Sequence, residues 1–190
     1  MPRSPQRQVV TIFGSSRPRP GEPAYKDAYE LGKAVAVEGW TVCNGGYGGT
    51  MEASAQGARD VNGHTIGVTC SIFSRRGGAN RFIVQEVPTF HLQVRLDTLV
   101  RLGNAYVALP GGTGTMLEVA LVWELLSKHM VRKPATRLLL HNHWRMLEAP
   151  IRAAQPDLAA PQFFDRIEVA IEMLREQLAP VDATATCPAD

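Results

Sequence analysis

The stretch Val107-Ala108-Leu109-Pro110-Gly111-Gly112-Thr113-Gly114-Thr115-Met116-Leu117-Glu118 decides how the chain is read. It opens as a short apolar run, as a buried parallel strand does. Pro110 to Gly114 break that run into a glycine-rich turn, and Met116 to Ser127 then reads as a helix. Strand, glycine turn and helix build an anion site in α/β folds. Glycines let the backbone approach a ligand, and the first amides of a helix lack internal partners. The positive end of the helix dipole stands behind those amides, so a phosphate is the natural guest. A second reading fits the same residues. Thr115-Met116-Leu117-Glu118 matches the capping box, which does no more than start a helix.

The rest of the chain repeats the pattern. Val9 to Phe13 reads as a first strand, followed by the small turn Gly14-Ser15-Ser16. Tyr25 to Glu38 has helical spacing and is ended by Gly39. Trp40 to Cys43 reads as the second strand. Asn44-Gly45-Gly46-Tyr47-Gly48-Gly49-Thr50-Met51-Glu52 is a second glycine turn, leading into a helix from Met51 to Asp60. Parallel strands would place both glycine loops at one sheet edge. His64 to Val68 and Phe82 to Val87 read as further strands, with Pro88 limiting the latter. Between them, Cys70 to Arg81 carries Arg75, Arg76 and Arg81, and fits either a lid over an anion or a solvated basic loop. Thr89 to Leu102 reads as a helix with an apolar stripe of Leu92, Leu96, Leu99 and Leu102. Arg95 flanks that stripe and needs a partner, whereas Arg101 faces away. Thr136 to Leu140 is a last expected strand, and Asp165 to Leu178 a terminal helix. His141 and His143 read as loop residues, since no Asp, Glu or Cys completes a metal set nearby.

Composition sets bounds. The 190 residues, 45% of them hydrophobic, suit one domain with a full core, expected over 8–179. A flexible leader over 1–7 and a flexible tail over 180–190 are expected to flank it. The net charge of +2 implies no nucleic-acid polymer and no membrane partner. Three cysteines without a C-x-x-C suggest a reducing compartment, neither a disulfide framework nor a zinc site. The N-terminus lacks the apolar core of a signal peptide, and no run of about 20 apolar residues exists to span a membrane. A cytoplasmic location is the resulting expectation.

Pro110 to Glu118 matches P-G-G-x-G-T-x-x-E at every fixed position, and so resembles the LONELY GUY family of cytokinin-activating nucleoside 5′-monophosphate phosphoribohydrolases. Gly14-Ser15-Ser16 resembles the element after that family's first strand, and Asn44 to Met51 its first glycine-rich loop. Arg95, fifteen residues before Pro110, lies where the family's catalytic arginine lies. The resemblance covers roughly Val9 to Leu140. It implies a Rossmann-like α/β fold with a mostly parallel sheet flanked by helices. It also implies a homodimer, to which the all-round apolar Met116–Leu126 helix points independently.

The implied reaction is hydrolysis of the N-glycosidic bond of a nucleoside 5′-monophosphate, AMP or cytokinin-type, to free base and ribose 5-phosphate, without cofactor or metal. Arg95 and Glu118 are the implied catalytic residues. The implied substrate-binding residues are Gly14, Ser15, Ser16, Gly45, Gly46, Gly48, Gly49, Thr50, Met51, Arg101, Pro110, Gly111, Gly112, Thr113, Gly114 and Thr115. With Glu118 in the first helical turn, the helix dipole and Arg95 should favour its ionised form. Gln93 and Leu96 depart from the plant-type M-H-x-R-K pattern, which bears on the preferred base.

The older family label, lysine decarboxylase, is rejected. It would need pyridoxal phosphate on a lysine, and none of Lys26, Lys33, Lys128 and Lys133 lies in a glycine turn. The alternative is a non-catalytic nucleotide- or molybdenum-cofactor-binding carrier, because the same fold and loops occur in such proteins.

Overall fold

The computed structural model describes residues 7–73, 78–131, 137–158 and 160–178. Residues 1–6 of the expected leader, the expected tail, Arg75, Arg76, Lys133 and Thr136 lie outside the described residues. The elements run β1 (Val9–Phe13), α1 (Pro23–Val37), β2 (Thr41–Asn44), α2 (Thr50–Asp60), β3 (Thr65–Cys70), β4 (Gln85–Thr89) and α3 (Leu92–Leu102). They continue through β5 (Ala105–Ala108), α4 (Thr113–Ser127), β6 (Leu138–His141), α5 (Glu148–Ala154), β7 (Gln162–Phe164) and α6 (Ile167–Leu178). The seven strands form one sheet in the order β4-β3-β2-β1-β5-β6-β7. Every pairing is parallel. The order reverses at β1, which pairs with β2 on one side and β5 on the other. That is the topological switch point at which open α/β sheets bind ligands.

Strand alternation divides the core into two layers. Val10, Ile12, Val42, Val107 and Leu139 face α1, α2 and α6. Phe13, Cys43, Val68, Tyr106, Ala108 and Leu140 face α3 and α4. Tyr106 is fully buried, and its hydroxyl donates to the Val100 carbonyl at 2.6 Å. Burial pushes that phenol well above its ordinary range.

Two expectations are corrected. The fourth strand starts at Gln85 and runs through Pro88 to Thr89. The N–H of Phe82 is taken by the Asn80 side chain and that of Val84 by the Thr65 hydroxyl, which keeps both out of the ladder. Pro88 is tolerated because β4 is an edge strand. The glycine motif's helix starts at Thr113 and not Met116, with Gly112 as its N-cap. β7 and α5 escape the sequence reading because three and seven residues are too short for periodicity to register.

α1 and α2 cross at two glycines. A methyl group on Gly32 would overlap the Ser54 carbonyl, and one on Gly57 the Tyr29 carbonyl. Gly→Ala inside a helix ordinarily stabilises by up to about 1 kcal/mol. At Gly57 the sign should invert, because backbone and not a yielding side chain stands in the way. Urea unfolding of Gly57→Ala should show a loss, and a gain would overturn this packing.

Candidate active site

Three loops meet at the carboxyl ends of β1, β2 and β5. The β1 turn and the β2 loop interlock. Thr50 donates to the Ser15 carbonyl from both its amide (2.9 Å) and its hydroxyl (3.1 Å). Gly49 stands at φ +70° with the Ser15 carbonyl and Ser16 where a Cβ would sit, so glycine is required there. Asn44, buried at the end of β2, ties the loop's two ends together. It accepts from the Gly46 amide at 2.8 Å and donates to the Met51 carbonyl at 2.9 Å. Asn80 donates to the carbonyls of Gly46 and Tyr47 from the far side.

The β5 loop is fixed at its base. The Leu109 amide donates to the Phe13 carbonyl at 2.9 Å, and the indole of Trp144 donates to the Leu109 carbonyl at 3.1 Å. Beyond this point the loop opens. Gly112, Thr113 and Gly114 are exposed, and a Cβ built on Gly112 or Gly114 would meet nothing within 4 Å. The N-cap Gly112 offers no side-chain hydrogen bond to the first amides of α4. Those donors face outward with the helix dipole behind them. Thr115 is buried, its side chain against Gly111.

Arg95 and Glu118 join the two glycine loops. Arg95 is 7% exposed. Its Nε donates to the Val68 carbonyl at 2.8 Å, and its Nη1 lies 3.3 Å from Glu118 Oε1. Its guanidinium fills the space where a Gly45 side chain would project, beside the Met51 sulfur. The remaining guanidinium N–H groups have no partner among the described residues. They are free to meet the oxygens of a ligand.

Glu118 lies in the second turn of α4, beyond the reach of most of the helix dipole. The expected pull of Arg95 toward the ionised form is present, but the expected net balance is corrected. Burial pushes its pKa up to about 7, and Arg95 offsets only part of that rise. The carboxyl can change protonation state near neutral pH.

The other expected residues divide by position. Gly45, Gly46, Gly49, Thr50 and Met51 are buried in the interlocked loops, while Ser16 is exposed. Gly14, Ser15, Gly48, Pro110 and Gly111 are partly exposed at the sheet edge. Arg101 is not brought to this edge pair. It is exposed at the end of α3 and ion-paired to Asp97 at 2.7 Å. The sequence reading did not single out Asn44, Asn80 or Trp144. The first ends an apolar strand as a buried amide, a signal that was present; the other two act across the fold from distant segments.

A cavity of about 340 Å³ opens on the opposite face of the sheet, between the N-terminal turns of α1 and α6. It shares Thr50, Leu109 and Pro110 with the loops but touches neither Arg95 nor Glu118. His141 lines this cavity. Burial, and after it His143, hold its pKa below the ordinary value. Among the described residues, no cluster of His, Cys, Asp and Glu could hold a metal ion. No helix among them is long and apolar enough to cross a membrane.

Residues 7–144 match the family model described as SLOG cluster4 family. The chain belongs to the SLOG cluster4 family. The LONELY GUY resemblance agrees with this membership. A cytokinin riboside 5′-monophosphate phosphoribohydrolase of Rhodococcoides fascians is 30% identical over 154 residues, covering 79% of this chain and 77% of that one. One of the same name from Mycobacterium marinum is 32% identical over 120 residues, covering 63% of this chain and 64% of the relative. The chain thus spans just under two thirds of the length of the Mycobacterium relative. The fold of the SLOG cluster4 chain is that of the molybdenum cofactor binding protein of Rippkaea orientalis. The TM-score is 0.73 at 24% identity, covering 91% of this chain and 98% of that one.

The Glu118 carboxyl makes stability depend on pH. Its folded pKa of about 7 exceeds the ordinary 4.5, so the folded chain binds the proton more tightly than the unfolded one. This contribution is fully present below the ordinary value and is lost as pH rises through 7. Relative to Glu118→Gln, the wild type should lose up to about 3 kcal/mol between pH 4.5 and 8 in urea unfolding. A difference that stays flat across that range would show that the carboxyl is not raised.

Proposed function

We propose that residues 8–179 form one nucleotide-binding domain that hydrolyses the N-glycosidic bond of a nucleoside 5′-monophosphate. The observation that carries this reading is the buried Arg95–Glu118 pair, its carboxyl at a pKa of about 7, beside the uncapped amides of the glycine motif. The relatives' name supports it. The amides of Gly112 to Thr115 hold the 5′-phosphate. The ribose lies over Glu118, and the spare N–H groups of Arg95 bind its hydroxyls or the phosphate. The C1′–N bond breaks, its electron pair leaving with the base, and positive charge builds on the ribose. Ionised Glu118 opposes that charge and takes a proton from the water whose oxygen bonds to C1′. The departing base nitrogen takes up a proton from solvent water, Glu118 returns its own to solvent, and the products are free base and ribose 5-phosphate.

A homodimer and a cytoplasmic location complete the proposal. α4 buries Val119, Val122 and Trp123 but leaves Met116 and Leu117 more than 40% exposed, and Val94 of α3 is half exposed. These side chains suit a partner helix. Light scattering at micromolar protein should give about twice the 20.7 kDa chain mass; a strict monomer would remove this part of the reading. A carrier role shares the fold and the loops but makes no use of a carboxyl poised near neutrality.

Incubation with AMP, GMP, CMP, UMP and an N6-modified adenine nucleotide, followed by chromatography for free base, is the deciding experiment. Because the ionised carboxyl acts, kcat/KM should rise with pH through about 7. Glu118→Gln should lower kcat at least about a hundredfold, roughly 3 kcal/mol of barrier, with AMP affinity little changed. Arg95→Ala should lose both turnover and affinity. A fully active Glu118→Gln enzyme would defeat the assignment. Tight AMP binding by a wild type that releases no base from any nucleotide would establish the carrier role instead.

A further inference from the structure

Arg95 is gripped by more than its ion pair. Its guanidinium carbon lies 5.9 Å from the centre of the Tyr47 ring and 6.0 Å from that of Phe73. The two rings meet edge to face, 6.2 Å apart at 85°, so the cation sits in the angle between them. Both distances fall within the reach of a cation–π attraction. Neither ring is placed by chance. The Tyr47 hydroxyl donates to the Cys70 carbonyl at 2.9 Å and accepts from the Cys70 amide at 2.7 Å. The Tyr47 carbonyl accepts from the Asn80 side chain at 2.8 Å. Phe73 closes the short 3₁₀ turn that begins at Ser71, directly after Cys70. One segment, the end of β3 and its turn, therefore fixes both rings: it tethers the first by its hydroxyl and carries the second. Phe73 is itself half exposed, so burial of its own surface does not account for where it lies.

We infer that Tyr47 and Phe73 form an aromatic clamp that positions the Arg95 guanidinium against Glu118, an assignment that rests on the hydrolase reading for its catalytic meaning. The hydrogen bond from Nε to Val68 fixes only the inner edge of the guanidinium. A single 3.3 Å contact from Nη1 is a weak determinant of where the outer edge points. The rings supply what is missing. Their faces attract the cation, and their bulk blocks the rotation that would carry Nη1 away from Oε1. Arg95, reaching across from α3, is the charged group that acts on Glu118 among the described residues; the Tyr47 ring faces the pair from the β2 loop. Loss of the clamp therefore weakens the one influence that draws the carboxyl toward its ionised form.

Two variants separate the rings from the tether. Phe73→Leu keeps an apolar side chain of similar bulk on an exposed turn and removes the ring. Tyr47→Phe keeps the ring and removes both hydroxyl bonds to Cys70. The carboxyl carbon of Glu118, followed by NMR in the full-length protein without ligand, reports the pair directly. Its titration midpoint should move upward by about half a unit or more in Phe73→Leu, and Phe73→Tyr should restore it. With AMP as substrate, kcat should fall about tenfold in Phe73→Leu and Tyr47→Phe, with KM changing less than about twofold. If both variants keep the wild-type midpoint and the wild-type kcat, the rings are packing alone and the clamp is overturned. If the wild type releases no base yet the midpoint still shifts in Phe73→Leu, the clamp stands and the hydrolase reading is what fails.

Discussion

The hydrogen-bonded position of β1, between β2 on one side and β5 on the other, is the constraint on which everything else rests. Chain order would place β1 beside β2 alone. Its second partner is the fifth strand, so the connections after β1 and β5 leave the sheet toward opposite faces. A crevice opens between them, and both sequence turns fall into it. The Gly14–Ser16 turn leaves β1, and the Pro110–Gly114 turn leaves β5. The β2 loop is drawn to the same edge through the Thr50 bonds to the Ser15 carbonyl. Three backbone segments that are unremarkable singly become one surface because of where a single strand pairs.

Burial at that surface is costly and only partly recovered. Removing Arg95 and Glu118 from water penalises both charges, and the attraction between them must offset this. The direction of the Glu118 shift shows which effect wins. The carboxyl rises to about 7 although a guanidinium lies 3.3 Å away, so desolvation exceeds the return from the ion pair. A salt bridge built for stability would push the carboxyl the other way. This pair instead keeps a proton-exchanging group near neutral pH at the expense of folding free energy.

Much of this was legible in the sequence, for identifiable reasons. β1, β2 and β5 are short apolar runs that lead into glycine-containing turns, and α1 carries strong three-to-four spacing; each appears within a residue or two of its expected limits. The approach of Arg95 to Glu118 was expected from a charge beside an apolar stripe and a resemblance at both positions. What was not legible came from contacts between distant segments. The Thr65 hydroxyl bond to the Val84 amide shifts the start of β4. The indole of Trp144 anchors a loop 35 residues earlier in the chain. The protonation of Glu118 depends on how completely α3, α4 and the β2 loop exclude water, which no local pattern encodes. Arg101 misleads for a related reason: the resemblance marks the position, while the helix turns it outward to Asp97.

A three-residue difference in the start of α4 changes what the glycine motif can do. Had Thr115 been the N-cap, its hydroxyl would have accepted a hydrogen bond from the helix's own amides, and Glu118 would have occupied the third position. Both side chains would then have saturated or repelled what an anion needs. With Gly112 as cap, no side chain competes for the first amides, and the hydroxyl of Thr115 is packed against Gly111. Glu118 falls one turn deeper. There it is too far along the helix to be held ionised by the dipole, and it faces Arg95 instead. The same shift therefore leaves a donor-rich opening at the helix end and sets a titratable carboxyl behind it. Backbone amides face the opening, and the Arg95 guanidinium pairs with the carboxyl set behind it.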